Sequence, residues 1–132
     1  MREDVEAMVR RAYEGAWNNG DLDMLLEMAD PEIVFRTSGA FPDLEPEYRG
    51  HEGMRRYWEI VRGPWDTFEI QVERVSEVGE DILILFRFHA KTHGGLELNA
   101  RFGQIGRMRN GLVTSIVAYP DWESAMHAVG LR

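Results

Sequence analysis

Hydrophobic positions recur every three or four residues in four segments of the chain, which predicts amphipathic helices. Asn18-Asn19-Gly20 is typical of a helix C-terminus, and Asp21 is suited to cap the helix that follows. Asp30-Pro31 and Gly63-Pro64 are expected to end the second and third helices. The helices are predicted at residues 3–18, 21–30, 50–63 and 120–130.

Alternating or continuous apolar segments elsewhere predict strands at residues 32–37, 65–76, 82–89, 96–108 and 112–119. The last three form an antiparallel meander. Gly94-Gly95 is a two-residue turn signal, and Asn110-Gly111 offers the two positive-φ positions of a type I′ turn. Residues 38–50, with two prolines, are predicted to be a long loop, and long ordered loops are often functional.

Helices come first and strands later, an order that indicates an α+β fold rather than alternating α/β units. We expect three N-terminal helices to cover one face of a curved antiparallel or mixed sheet, with a short C-terminal helix at the end. This arrangement would form a cone with a cavity on its inner side. The length of 132 residues fits one domain over residues 1–132.

Composition narrows the function classes. The net charge of −8 disfavours nucleic acid and anionic membranes as partners, and the absence of cysteine excludes thiolate chemistry. We see no signal peptide and no membrane-spanning segment, so a cytoplasmic location is expected. His89 and His93 are too far apart along one strand to bind one metal ion, and no glycine-rich phosphate loop is present. We therefore predict neither a metal nor a cofactor.

Several motifs along the chain resemble the SnoaL-like proteins of the nuclear transport factor 2-like superfamily. They are the segment from Arg11 to Asp23, Asp30-Pro31-Glu32-Ile33-Val34-Phe35, Tyr48-Arg49-Gly50-His51-Glu52-Gly53, Asn110-Gly111 and Ala118-Tyr119. The C-terminal residues resemble a bacterial branch of that family whose members have no assigned activity. The resemblance implies a cystatin-like, cone-shaped α+β barrel, an apolar cavity and a homodimer formed through the outer sheet face. It does not imply one reaction, because this fold hosts many.

The catalytic residues of characterised relatives transfer poorly. Tyr13 resembles the tyrosine of ketosteroid isomerases, but their base falls on Arg36 and their second acid near Gly103. An arginine stays protonated and cannot act as that base. Arg101 resembles the arginine of limonene-epoxide hydrolases, whose acids would fall near Gly103 and Ala118.

SnoaL-type cyclases use an aspartate near the end of the sheet. Asp121 is the nearest candidate for it, and the alternative is that Asp121 caps the last helix.

The remaining candidates are cationic and aromatic. If strand parity follows the family, Arg36 and Arg101 point into the cone, where they would bind a carboxylate or enolate. The alternative is that acids such as Asp43, Glu45 or Glu47 pair with them, or that they lie exposed at the cone mouth. The candidate catalytic residues are Tyr13, Arg36, Arg101 and Asp121. The candidate substrate-binding residues are Trp17, Phe41, Trp58, Phe86 and Phe88, for which ordinary core packing is the alternative.

The sequence therefore predicts a protein that binds a small hydrophobic molecule, aromatic or anionic, in an apolar cone. Isomerase, cyclase or hydratase activity is one interpretation, and a non-catalytic binding or dimeric interaction module is the other.

Overall fold

The computed structural model describes residues 4–37, 41 and 43–131. Its α-helices are α1 (Val5–Arg10), α2 (Leu22–Glu27), α3 (Gly50–Arg62) and α4 (Trp122–Ala128), and α1 continues directly as a π-helix over Arg11–Trp17. Its strands are β1 (Ala29–Arg36), β2 (Glu47–Arg49), β3 (Thr67–Val78), β4 (Asp81–Lys91), β5 (Glu97–Arg109) and β6 (Leu112–Tyr119).

The six strands form one open mixed sheet in the order β2-β1-β6-β5-β4-β3. All neighbouring strands are antiparallel except β1 and β6, which are parallel. The predicted α+β class, the meander and the covering helices are confirmed. The sheet does not close into a barrel, because β2 and β3 remain as its two edges.

Local signals in the sequence explain several element boundaries. The carboxylate of Asp21 accepts a hydrogen bond from the Met24 N–H at 3.0 Å and caps α2. Asn110 and Gly111 have φ angles of 55° and 82°, as a type I′ turn between β5 and β6 requires.

Two segments differ from their prediction. Part of the predicted loop over residues 38–50 is strand β2, which pairs antiparallel with the end of β1; residues 38–40 and 42 of that prediction lie outside the described residues. Ala29, predicted on the second helix, begins β1 instead and pairs with Val113. In both cases pairing with a neighbouring strand overrides the local pattern.

The connection between β4 and β5 also differs from its prediction. It is not a two-residue turn at Gly94-Gly95 but a five-residue connection between Lys91 and Glu97. The Thr92 N–H donates to the Leu96 carbonyl at 2.9 Å, and Gly95 takes the positive φ angle of 87°. This connection sets the register in which Phe88 pairs with Ala100 and Phe86 with Phe102.

Hydrophobic residues cover both faces of the sheet. The larger cluster lies between the sheet and the helices α1 to α3, and we call this side the inner face. A smaller cluster on the outer face joins Leu83, Leu85 and Ile105 to Ala125 of α4. Tyr119, the last residue of β6, packs against this smaller cluster. Among the described residues no helix is long and apolar enough to cross a membrane.

Polar side chains of α1 and of the π-helical segment attach this first helix to the edge strand β3. The Glu14 carboxylate accepts a hydrogen bond from the Val72 N–H at 2.8 Å. The guanidinium of Arg10 donates to the Val72 carbonyl at 3.1 Å and to Glu14 at 3.2 Å. The first helix is therefore fixed over the inner face, and the residues that it presents to the sheet are held in place.

Candidate functional site

The main chamber is a pocket between the inner face and the helices, with a volume of about 390 Å³. Ligand pockets in proteins commonly measure about 300–1,000 Å³. Its wall is unusually aromatic and contains Tyr13, Trp17, Phe41, Tyr57, Trp65, Phe68, Phe86, Phe88 and Phe102. Of the candidate substrate-binding residues, Trp17, Phe41, Phe86 and Phe88 are therefore brought together around one space.

A second space, the small chamber, adjoins the main chamber and measures about 70 Å³. Its wall is mostly aliphatic and includes Met8, Val9, Leu25, Met28, Ile33, Met54, Ile84, Met108 and Ile116. Tyr13, Trp17, Tyr57 and Gln104 line both chambers and form the boundary between them. An empty apolar void of this size costs on the order of 1–2 kcal/mol of unfolding free energy.

A polar pair crosses this boundary. The hydroxyl of Tyr13 donates a hydrogen bond to Oε1 of Gln104, and both side chains are buried. Tyr13 comes from the π-helical segment, and π-helical turns recur at functional sites in proteins. Gln104 lies in the middle of the sheet, where its neighbours on β4 and β6 are Ile84 and Ala118.

Two donors at the boundary remain available to a ligand. The amide nitrogen of Gln104 has no hydrogen-bond partner among the described residues. Every fully buried side-chain nitrogen or oxygen of the described residues has such a partner, so the Gln104 nitrogen is not fully buried. The amide N–H groups of Gln104 are therefore open to the cavity. The same reasoning applies to the hydroxyl of Tyr57, which also lines both chambers.

Both phenols stay uncharged. Burial strongly raises the pKa of Tyr13, and the nearby Tyr57 raises it further. Burial likewise raises the pKa of Tyr57, with a smaller contribution from Tyr48. A neutral phenol donates one hydrogen bond and does not act as a base at neutral pH. The boundary can thus orient and polarise a ligand oxygen without carrying a charge.

The lining of the main chamber contains no lysine, arginine or histidine among the described residues. Its single described carboxylate belongs to Asp43, which is exposed. An anion buried in such a chamber would have no counter-charge, and burying an unpaired charge is costly. The chamber therefore suits an uncharged ligand.

The expectation that Arg36 and Arg101 point into the cone is wrong. Arg36 follows the inward-facing Phe35 and lies on the opposite face of β1, where its guanidinium is 3.3 Å from Glu47 on β2. Its side chain is 50% exposed. Of the alternatives for Arg36, pairing with Glu47 is therefore the correct one.

Arg101 also lies on the outer face. It pairs across the sheet with Arg87, and its guanidinium stacks over the ring of Trp122 at 5.2 Å from the ring centroid. The reason is the β4–β5 register, which puts Phe102 and Gln104 inward and the alternate residues Arg101 and Gly103 outward.

Two further candidates lie outside both chambers. Trp58 is buried behind Trp17, with the two rings stacked at 4.2 Å, so the packing alternative describes it. Asp121 is exposed and accepts a hydrogen bond from the Ser124 N–H at 2.7 Å, so it caps α4. That backbone hydrogen bond lowers the pKa of Asp121, and a second hydrogen bond with the Ser124 side chain lowers it further.

Sequence reasoning missed Gln104. The position expected for a family acid, Gly103, faces outward, and a Cβ built there would lie 2.5 Å from the Cβ of Ala125. Ala118 does line the main chamber and presents only a methyl group. The signal that could have found Gln104 is its spacing of two from Phe102, since alternate residues of a strand share a face.

No three described histidine or acidic residues lie close enough together to hold a metal ion. The arrangement offers instead an aromatic space, two neutral donors at its inner end and one carboxylate on its wall. Such a site can bind a hydrophobic molecule and polarise one of its oxygen atoms.

Comparison with known proteins shows the family of this chain. A profile described as the SnoaL-like domain matches residues 9–116. A search of curated protein sequences found no significant match.

Solved structures share the fold over nearly the whole chain. An NTF2-like protein of unknown function from Burkholderia pseudomallei has a TM-score of 0.78 at 18% identity, with 98% of this chain and 99% of that chain covered. TerC, co-crystallised with polyporic acid, has a TM-score of 0.74 at 18% identity and 95% coverage of both chains. A Jannaschia protein described as a SnoaL-like polyketide cyclase has a TM-score of 0.74 at 18% identity, with coverages of 97% and 92%.

These neighbours share the NTF2-like fold, and at such low identity the likeness concerns the fold alone. The sequence profile covers most of the chain, and the structure has the α+β class and the covering helices that the resemblance implied. The chain belongs to the SnoaL-like domain family.

Proposed function

We propose that this protein binds a small, uncharged, largely aromatic molecule with a carbonyl oxygen, and that the amide of Gln104 recognises this oxygen. The observation that carries the proposal is the unpartnered amide nitrogen at the inner end of an aromatic chamber. Because Oε1 of Gln104 is occupied by the Tyr13 hydroxyl, the amide presents donors rather than an acceptor. An acceptor oxygen on the ligand would therefore give the Gln104 amide its missing hydrogen-bond partner.

The absence of cations from the described lining favours a neutral ketone, quinone or ester over a carboxylate. The rings of Trp17, Phe68 and Phe88 suit a flat ligand, because aromatic rings pack in stacked or edge-on pairs. TerC, one of the proteins with this fold, was crystallised with a small molecule, polyporic acid. The interpretation of an anionic ligand loses its basis, since Arg36 and Arg101 lie outside the chamber.

Binding of naphthyl ketones tests the proposal. Acetylnaphthalene is compared with ethylnaphthalene, a hydrocarbon of similar shape, by tryptophan fluorescence titration. Gln104→Leu removes the donors and keeps the side-chain volume nearly constant. Gln71→Leu makes the same change at an exposed position of β3 and serves as the matched control.

The ratio of ketone to hydrocarbon affinity is expected to fall about tenfold in Gln104→Leu, the equivalent of one lost hydrogen bond of about 1.4 kcal/mol. Gln71→Leu is expected to keep the wild-type ratio. A ratio that Gln104→Leu leaves unchanged, or tighter binding of naphthoate than of the ketone, would contradict the proposal.

Catalysis on such a ketone is the second candidate, and Asp43 is the observation that favours it. As the single described carboxylate of the chamber wall, Asp43 could take a proton from the carbon next to the carbonyl. The Gln104 amide would then stabilise the resulting enolate oxygen, and solvent would return a proton to the carbon.

The probe for catalysis is naphthylacetone, whose methylene group between the ring and the carbonyl would lie on the main-chamber side, as Asp43 does. Exchange of these methylene protons in heavy water, followed by NMR, separates the two candidates. Exchange that disappears in Asp43→Asn supports an isomerase- or cyclase-like enolisation. Binding without exchange above the buffer rate supports a non-catalytic binding protein.

A further inference from the structure

We propose that the small chamber is a subsite for a short alkyl branch of the ligand, on the far side of the Tyr13–Gln104 boundary from the aromatic group. The inference rests on the proposed function, because it uses a carbonyl bound at Gln104 as its fixed point. Beyond the proposed function, it names the chemical class of the ligand's second substituent and the residue that limits the length of this substituent.

The position of Gln104 carries the first step. Its side chain lines both chambers, so a carbonyl carbon held at its amide lies at the boundary between them. A ketone has two substituents, which diverge from that carbon. If the aromatic substituent occupies the main chamber, the other one is directed at the small chamber.

The lining of the small chamber carries the second step. Four of the seven methionines of the chain, Met8, Met28, Met54 and Met108, line it, together with aliphatic residues. Methionine side chains are flexible and adapt to irregular apolar shapes. The wall therefore favours an unbranched alkyl group over an aromatic ring.

Among the described residues of this lining one is charged, Arg107, and its charge is already paired. Arg107 is exposed, and its Nε donates a hydrogen bond to the Asp81 carboxylate at 2.7 Å. That hydrogen bond raises the pKa of Arg107, and the negative charge of Asp81 adds to the effect. A polar or anionic end group on the ligand would have to compete with Asp81, whereas an alkyl group would not.

The volume of about 70 Å³ limits the length of the branch. Since a water molecule takes up about 30 Å³ and a void of about 150 Å³ accepts benzene, the chamber holds an alkyl group of about two to four carbons. Gly106 sets this limit at one point of the wall. A Cβ added to Gly106 would meet only the Ser115 carbonyl oxygen, at 3.7 Å, so the position can accept a larger side chain that fills the chamber.

The test uses naphthyl ketones with acetyl, butanoyl or hexanoyl groups and two filling variants. Gly106→Val fills the small chamber from β5. Ala118→Val is the matched control, because it adds methyl groups to the main chamber from the neighbouring strand β6. Gly106→Ala is a milder second variant, and circular dichroism melting establishes that each variant is folded.

For the wild type we expect the butanoyl ketone to bind about tenfold more tightly than the acetyl ketone, since each buried methylene contributes about 0.8 kcal/mol. The hexanoyl ketone is expected to gain no more. Gly106→Val should abolish this gain, so that the acetyl and butanoyl ketones bind with similar affinity, and Gly106→Ala should retain part of the gain. Ala118→Val should weaken all three ketones and keep the gain.

Two results overturn the inference alone: ketones that bind with no gain from the longer chain, or a gain that Gly106→Val leaves intact. In the second case the alkyl group lies in the main chamber or at its mouth. If no ketone binds to the folded wild-type protein, the proposed function fails, and the subsite fails with it.

Discussion

The side-chain amide of Asn18 makes two hydrogen bonds with the backbone of Ile70. Its Oδ1 accepts from the Ile70 N–H at 2.7 Å, and its Nδ2 donates to the Ile70 carbonyl at 2.9 Å. A neighbouring strand would satisfy these two backbone groups in the same way. The helix end that carries Asn18 is thereby joined to the edge strand β3, one residue after Trp17 of the chamber wall.

Replacing this amide should destabilise the fold. Asn18→Ala leaves two half-buried backbone groups without their partner, and we expect the free energy of unfolding to fall by about 1–3 kcal/mol. Urea denaturation measures the change. Asn19→Ala is the control, because the exposed Asn19 bonds only to Gly15 in its own helix and should cost less than about 1 kcal/mol. Equal effects of the two variants would show that the contact with β3 contributes nothing.

The buried phenol of Tyr13 predicts a loss of stability at high pH. Burial raises its pKa in the folded protein, so its contribution to stability is complete below the pKa of the unfolded chain, about 10. Above that pH the unfolded chain loses the proton and the folded protein keeps it, and the free energy of unfolding falls. Urea midpoints measured from about pH 8 to about pH 11 should decline less steeply in Tyr13→Phe, and least steeply in Tyr13→Phe/Tyr57→Phe. Identical slopes in all three proteins would contradict the raised pKa values.

The contact between β5 and α4 leaves no room for a side chain at Gly103. An added Cβ would lie 2.5 Å from the Ala125 Cβ and 3.2 Å from Leu85. We expect Gly103→Ala to lower the free energy of unfolding by about 1–3 kcal/mol, as overpacking commonly does.

The matched control for this variant is Gly106→Ala, on the same strand, where an added Cβ would make only an ordinary contact with the Ser115 carbonyl oxygen at 3.7 Å. It should stay within about 1 kcal/mol of the wild type. Ala125→Gly in the Gly103→Ala background should restore part of the loss, and the absence of any recovery would argue against the clash as the cause.

The two arginines first considered as ligand-binding residues should prove unimportant for binding. Arg36→Gln and Arg101→Gln change side chains on the outer side of the sheet, away from both chambers. We expect the affinity for acetylnaphthalene to stay within about twofold of the wild type, because lost surface contacts rarely act across a sheet. Affinities are measured by fluorescence titration, and Gln104→Leu is titrated in parallel as the variant that is expected to weaken binding. A tenfold loss of affinity in either arginine variant would show that this arginine takes part in ligand binding.

The sequence allowed most elements to be located, because their signals are local. The Asp21 cap and the Asn110-Gly111 turn act within a few residues, and both behave as predicted. Asp121, a candidate catalytic residue, takes the capping role that was its alternative. Strand β2 has only three residues and no pattern of its own, so it depends on its partner β1.

The faces of the strands were harder to predict, because they depend on register. A two-residue turn at Gly94-Gly95 would pair Phe88 with Arg101 and put that arginine inside the cone. The five-residue connection pairs Phe88 with Ala100 instead. Since strand side chains alternate, this single-residue difference moves Arg101 outside and Gln104 inside. The inward placement of Arg101 followed the strand parity of the family. The family's acids could not be used to check this parity, because glycine and alanine occupy their expected positions, Gly103 and Ala118.

The homodimer through the outer sheet face stays a prediction, but the edges of the sheet bear on how it could form. An exposed edge strand ordinarily offers its backbone to another chain, which leads to sheet extension or fibrils. Here Asn18, Glu14 and Arg10 occupy the backbone groups of Ile70 and Val72 in β3, and the opposite edge, β2, has only three residues. Side chains of the first helix thus make the hydrogen bonds that another strand would otherwise make with these backbone groups. If two copies of this protein associate, we expect them to do so through the faces of their sheets rather than edge to edge.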